Sequence, residues 1–198
     1  MSLKIFIAVL LGAGAGYFFL PSTISSNMGI IIDIGLMLLL FFVGIDIGKQ
    51  KDVFGKMKKM GLRILLVPIA IILGSVVGSI LAGFLLNMPV KEAGAVGAGL
   101  GWYTLSSTIL LAEGYIELSA LAFLSNVFRE IIALVSIPII AKYIGKLESV
   151  STAGATAMDT SLPVISASTD PQATIIAFVT GVICTTSVPI ILPIILKL

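Results

Sequence analysis

The chain has 198 residues, 58% hydrophobic and 11% charged, with a formal net charge of +2 and a mean hydropathy of +1.18. Ordinary soluble domains carry about 25% charged residues, so a water-soluble fold is excluded: too little polar surface is present to cover so much apolar side chain. One cysteine and no histidine exclude an intrachain disulfide, histidine-ligated metal, haem and imidazole proton relays.

Apolar runs near twenty residues recur, each long enough to cross a ~30 Å hydrocarbon core as a helix. The first covers residues 3–20, with Gly12, Gly14 and Gly16 suited to close helix packing. Lys4 followed by an apolar run resembles a signal peptide, but in so hydrophobic a chain a first transmembrane helix is the expected reading. The uncharged "PSTISSN" forms a turn. The second run covers residues 28–48 and contains Asp33 and Asp46. It is followed by "KQKDVFGKMKK", residues 49–59, and by a third run over 62–86. The rule that cytoplasmic loops collect Lys and Arg places the lysine-rich loop inside and Lys91 outside.

Residues 93–112 break the count. A full crossing here would put "EGYIE" inside and "KYIGK" outside, against the charge rule. A segment that dips in and returns keeps "KYIGK" inside. The composition "AGAVGAGLGWYTLSST" supports a dip, because each glycine costs a helix about 1 kcal/mol relative to alanine and the hydroxyls can satisfy freed backbone groups. The same logic makes "STAGATAMDTSLPVISAST" a second dip from the cytoplasmic side, with Pro163 removing a helix hydrogen bond. A last apolar run covers 173–196. Cys184, inside it, reads as packing. Non-helical backbone at membrane depth survives only where protein or a water-filled cavity covers it, and a pair of broken segments points to a transporter site. The expected fold is an all-α polytopic integral membrane protein. It forms a single transmembrane domain over 1–198, with about four full transmembrane helices plus two broken or re-entrant segments.

Between the dips, the helix expected over 116–143 carries Arg129 and Glu130 near its middle. At 100° per residue, Ser119, Ala122, Ser125, Asn126, Arg129, Glu130, Ala133 and Ser136 share one arc, and Leu121, Leu124, Val127, Phe128, Ile131, Leu134, Val135 and Ile139 fill the rest. The small, polar stripe should face inward. A charge in mid-helix costs about 2.5–3.5 kcal/mol on insertion scales, and neighbours in sequence do not face each other, so Arg129 and Glu130 should each have their own partner. Asn126, one turn before Glu130, can share its site. The structural alternative is that the two charges pair only to hold helices together.

Four blocks, "LLLFFVGIDIG", "GAGLGWYTLSSTILLAEGY", "FLSNVFREIIALVSIPIIAKY" and "GATAMDTSLPVI", resemble in order and spacing the signature blocks of the LysO family of bacterial lysine exporters. The resemblance implies a multi-pass protein of the inner membrane that exports L-lysine and analogues such as thialysine, with a role for intramembrane carboxylates. Family members are usually longer, and this chain corresponds to their C-terminal two-thirds. That implies either the larger half of a split exporter, completed by a small separate membrane protein, or a shorter member that works alone or as a homo-oligomer.

Lysine carries two ammonium groups and a carboxylate. Glu130 and Asp159 can meet the ammoniums. Arg129, the hydroxyls of Thr104, Ser106 and Ser107, and exposed amides of broken helices can meet the carboxylate, and Asn126, beside Glu130, and Thr160, beside Asp159, complete the candidate substrate-binding set. Trp102 and Tyr103 offer ring faces to a cation, or pack as interface anchors. A carboxyl that alternates between a proton and a cation is a minimal antiporter, which makes Glu130 and Asp159 the candidate proton-coupling groups. Exporting a cation against the membrane potential costs about 2.3 kcal/mol per charge per 100 mV, so uphill export needs such coupling. No cofactor, metal or nucleic-acid partner is expected. The alternatives are a structural partner subunit and a passive channel. An intramembrane aspartyl protease is disfavoured because "IIDIG", "GIDIG" and "AMDTS" lack its motifs.

Overall fold

The computed structural model describes residues 61–198 continuously, and scattered helical positions before them. The runs 3–20 and 28–48, Asp33, Asp46 and the lysine-rich loop therefore lie outside the described residues. Among the described residues three helices are long and apolar enough to cross a membrane: α1 (Leu66–Leu85), α4 (Ile116–Tyr143) and α7 (Pro171–Leu196). Between them lie α2 (Val90–Gly97), α3 (Tyr103–Ala112), α5 (Lys146–Ser151), a 3-10 turn (Gly154–Met158) and α6 (Leu162–Ser168).

Helix α1 ends where its sequence says it must. Asn87 adopts φ 54°, Met88 N–H donates to Gly83 O at 2.9 Å, and Pro89 starts α2. A left-handed residue with a back-bonded follower closes the carbonyls left open at a helix end. Gly114, φ 86°, closes α3 in the same way, with Tyr115 N–H donating to Leu110 O at 2.9 Å.

Side-chain contacts set the topology. The start of α2 and the end of α3 lie together, because Lys91 Nζ sits 5.8 Å above the Tyr115 ring. The pair α2–α3 is thus a hairpin that enters and leaves at the end of the bundle where α1 finishes. At the opposite end, α5 meets the first turns of α1 around one cavity. There Lys146 Nζ pairs with Asp170 Oδ2 at 2.9 Å. So α5, the 3-10 turn and α6 form a second hairpin, entered from the opposite end. The two hairpins, each following a long helix, thus start from opposite ends of the bundle. Asp170 also caps α7 by accepting Ala173 N–H at 2.9 Å. That bond, and then Lys146, hold its carboxyl below the usual range, although partial burial opposes them.

Helix α7 is the central element. Buried residues make up 44% of its most apolar window, against 17% for α1 and 22% for α4. Helix α4 turns its small and polar stripe inward as its periodicity requires. Ser119, Ala122, Asn126 and Ala133 are buried and Ser125, Arg129, Glu130 and Ser136 half-buried; Leu121, Leu124, Phe128 and Ile139 are exposed, and Val127, Ile131, Leu134 and Val135 half-buried. The exposed apolar side chains of α1, Leu66, Leu73, Val77 and Leu81 among them, suit a lipid solvent.

Candidate functional site

The two hairpin tips touch. In the first, the chain leaves helix at Ala98 and resumes at Tyr103, with Leu100 at φ 50° and Gly101 at φ 104°. A buried left-handed leucine is strained. Its surroundings hold it there: Leu100 O accepts Ala155 N–H from the second tip at 2.8 Å, and Gly101 N–H donates to Asn126 Oδ1 at 2.8 Å. Broken backbone inside a bundle needs such partners. Gly97 lets α2 lie against α1, since a Cβ there would strike the Ser79 side chain, and Ser75 Oγ donates to Gly97 O at 2.8 Å.

In the second tip the interruption falls just before Pro163. The proline itself sits in the first turn of α6, where its missing N–H costs nothing. The sequence reading used Pro163 as the breaker; the structure puts the irregular stretch upstream, through the 3-10 turn and Asp159. Thr156 Oγ1 bonds Ala153 O at 3.0 Å and Ser161 Oγ at 2.9 Å, so the buried hydroxyls support their own loop.

A cavity of about 300 Å³ opens where the tips meet. Trp102, Tyr103 and Thr104 line it from the first hairpin, Asp159 and Thr160 from the second, and Glu130 from α4. Asp159 Oδ1 accepts Thr160 N–H at 2.6 Å and Thr160 Oγ1 at 3.3 Å. The Glu130 and Asp159 carboxylates are near enough to feel each other's charge. Tyr103 lies within reach of both charges, its ring edge-on to Phe123 at 5.3 Å. Asp159 does not cap α6 by the usual bond to the second or third helical amide; its backbone bond goes to the adjacent residue. Among the described residues no group of three metal-ligating side chains occurs.

The remaining candidates lie elsewhere. Asn126 is 3% exposed, and both ends of its amide are used: Oδ1 by Gly101, and Nδ2 as donor to Ala122 O at 2.9 Å. It clamps the first tip to α4 and does not line the Glu130 cavity. Ser106 is buried and donates to Tyr103 O at 3.2 Å, and Ser107 donates to Thr104 O at 3.2 Å. Arg129 points away from Glu130. Its Nη1 donates to Ser75 Oγ at 2.8 Å and its Nε to Thr152 O at 3.3 Å. It borders a separate cavity of about 620 Å³ with Gly74, Glu148 and Ser151. One step of 100° along the helix sends the two charges to different places. Met158 and Thr185, also on the wall of the Glu130 cavity, carry no charge and gave sequence reasoning no signal.

Three long apolar helices and two interrupted hairpins whose tips meet at a pair of carboxylates define an all-helical membrane protein. The chain belongs to the lysine exporter LysO family, whose match covers residues 6–196. It is 31% identical over 157 residues to a Haemophilus influenzae protein named for lysine export, covering 79% of this chain and 80% of that one. It is also 31% identical over 157 residues to "Lysine exporter LysO" of Escherichia coli, covering 79% of this chain and 52% of the relative. The chain thus spans about half the length of the latter. No solved structure matches it.

Proposed function

We propose that the chain exports L-lysine, and analogues such as thialysine, across the bacterial inner membrane in exchange for protons. The observation that carries this reading is the meeting of Glu130 and Asp159, from two separate elements, in one amino-acid-sized cavity at the hairpin tips. The names of the relatives support lysine as the solute. Glu130 and Asp159 receive an ammonium group, with Thr160 orienting the Asp159 carboxylate. Gly101 to Thr104 line the same cavity, and the first amides of α3 have no partner within their own helix. They and the helix dipole suit the substrate carboxylate. A proton on Glu130 competes with the bound ammonium, so protonation from outside releases lysine and deprotonation inside readies the site again. Lysine uptake into inverted vesicles containing this chain should rise several-fold with an imposed proton gradient. Equal uptake with and without the gradient would leave a passive channel.

The charge role of Asp159 is open to a direct test. Asparagine can still accept the Thr160 bonds, so Asp159→Asn should leave stability near normal and weaken lysine binding more than tenfold. An affinity within about twofold of wild type would remove the charge from the mechanism.

We infer that the end of the bundle holding Lys146 and Asp170 is cytoplasmic, from the lysines that collect there. Lys146→Cys should then resist an impermeant thiol reagent added outside the cell, and Cys184, fully buried, will not interfere. Labelling as fast as an external control would invert the topology. We infer also that a second copy or a small membrane protein associates with this chain. Full transport activity from a monodisperse monomer would contradict this.

A further inference from the structure

The polar groups of the Glu130 cavity account for the charged ends of a substrate and not for the methylene stem between them. Met158 is the aliphatic side chain of any length on that wall. It is also unusually well seated. A Cβ added to Gly181 of α7 would strike the Met158 backbone and come within 2.5 Å of its Cβ. One turn further along α7, Thr185 Oγ1 approaches Met158 Sδ at 3.8 Å. The central helix therefore holds Met158 at both ends, by a notch under its backbone and a hydroxyl against its sulfur. A thioether is polarizable and packs well against methylenes, but an unrestrained methionine is too flexible to measure length. The contact with Thr185 supplies the restraint.

We propose that Met158, held by Thr185, is the gauge of substrate length, selecting one number of methylenes between the charged ends of a diamino acid. This rests on the reading of the cavity as the lysine site. The experiment is a calorimetric titration of the purified chain with ornithine, lysine and homolysine, which differ by one methylene each. Wild type should bind lysine best. Met158→Ala should lower the preference for lysine over homolysine by about tenfold, the scale of one methylene in an apolar pocket. Met158→Leu, which conserves volume, should keep the preference, and Thr185→Val should relax it in the same direction by a smaller factor. A merely structural role would weaken all three ligands by one factor, and that result overturns the proposal. If Met158→Ala does not fold, an unchanged preference in Thr185→Val overturns it equally. Failure of wild type to bind any of the three would overturn the lysine reading and this one together; selective wild type with equally selective variants overturns this one alone.

Discussion

Glu130→Gln is expected to abolish proton-coupled lysine export while the protein remains folded in the membrane. Glutamine keeps the length and shape of the side chain. It cannot ionise, so it neither pairs with an ammonium nor carries a proton. Removing one member of a buried, hydrogen-bonded charge pair costs about 2–5 kcal/mol, which corresponds to at least about thirtyfold in lysine affinity. The effect on transport should be larger, because the exchange step itself is lost. The measurement is lysine flux in inverted vesicles across a range of external pH, with membrane content of the variant checked alongside. Normal flux with normal pH dependence would reduce Glu130 to a structural residue.

Gly154→Ala should be the most damaging small substitution in the second hairpin. Gly154 has φ +64°, where an L-residue costs about 1–2 kcal/mol. An added Cβ would also strike the Leu100 carbonyl and come 2.9 Å from Arg129 Nη2. That carbonyl is the acceptor of the bond from Ala155, so it cannot retreat without opening the junction of the two tips. Overpacking of this kind adds about 1–3 kcal/mol, giving a total of about 2–5 kcal/mol. Gly114→Ala is the control. Gly114 also has positive φ, at +86°, but nothing lies within 4 Å of its missing Cβ, so only the backbone cost applies. Heating the detergent-purified proteins and following the monodisperse fraction should show Gly154→Ala lost well below Gly114→Ala. Equal loss would mean that the tips are not packed as described.

Much of this architecture is written in local sequence. Hydropathy alone assigns the solvent and the long helices, because backbone groups in hydrocarbon must bond within their own segment. The inward stripe of α4 follows from its 3.6-residue period. The ends of α1 and α3 follow from Asn87 with Pro89 and from Gly114. The two interrupted segments follow from glycine, hydroxyl and proline content, although the second break lies upstream of Pro163 rather than at it.

What surrounds each side chain was decided by contacts between residues far apart in the chain. Periodicity assigned Asn126, Arg129 and Glu130 to one inward arc, and within that arc it could not tell ligand from clamp. The bond from Gly101 occupies Asn126, Ser75 and Thr152 draw Arg129 towards α1 and the second hairpin, and Glu130 alone of the three meets Asp159. Leu100 and Met158 read as ordinary apolar residues, yet one takes a left-handed backbone and the other is fixed against α7. The reason is physical: composition and period set which way a side chain points and what solvent it tolerates, whereas its partner is set by which other segment arrives opposite, here the tip of a hairpin entering from the other end of the bundle.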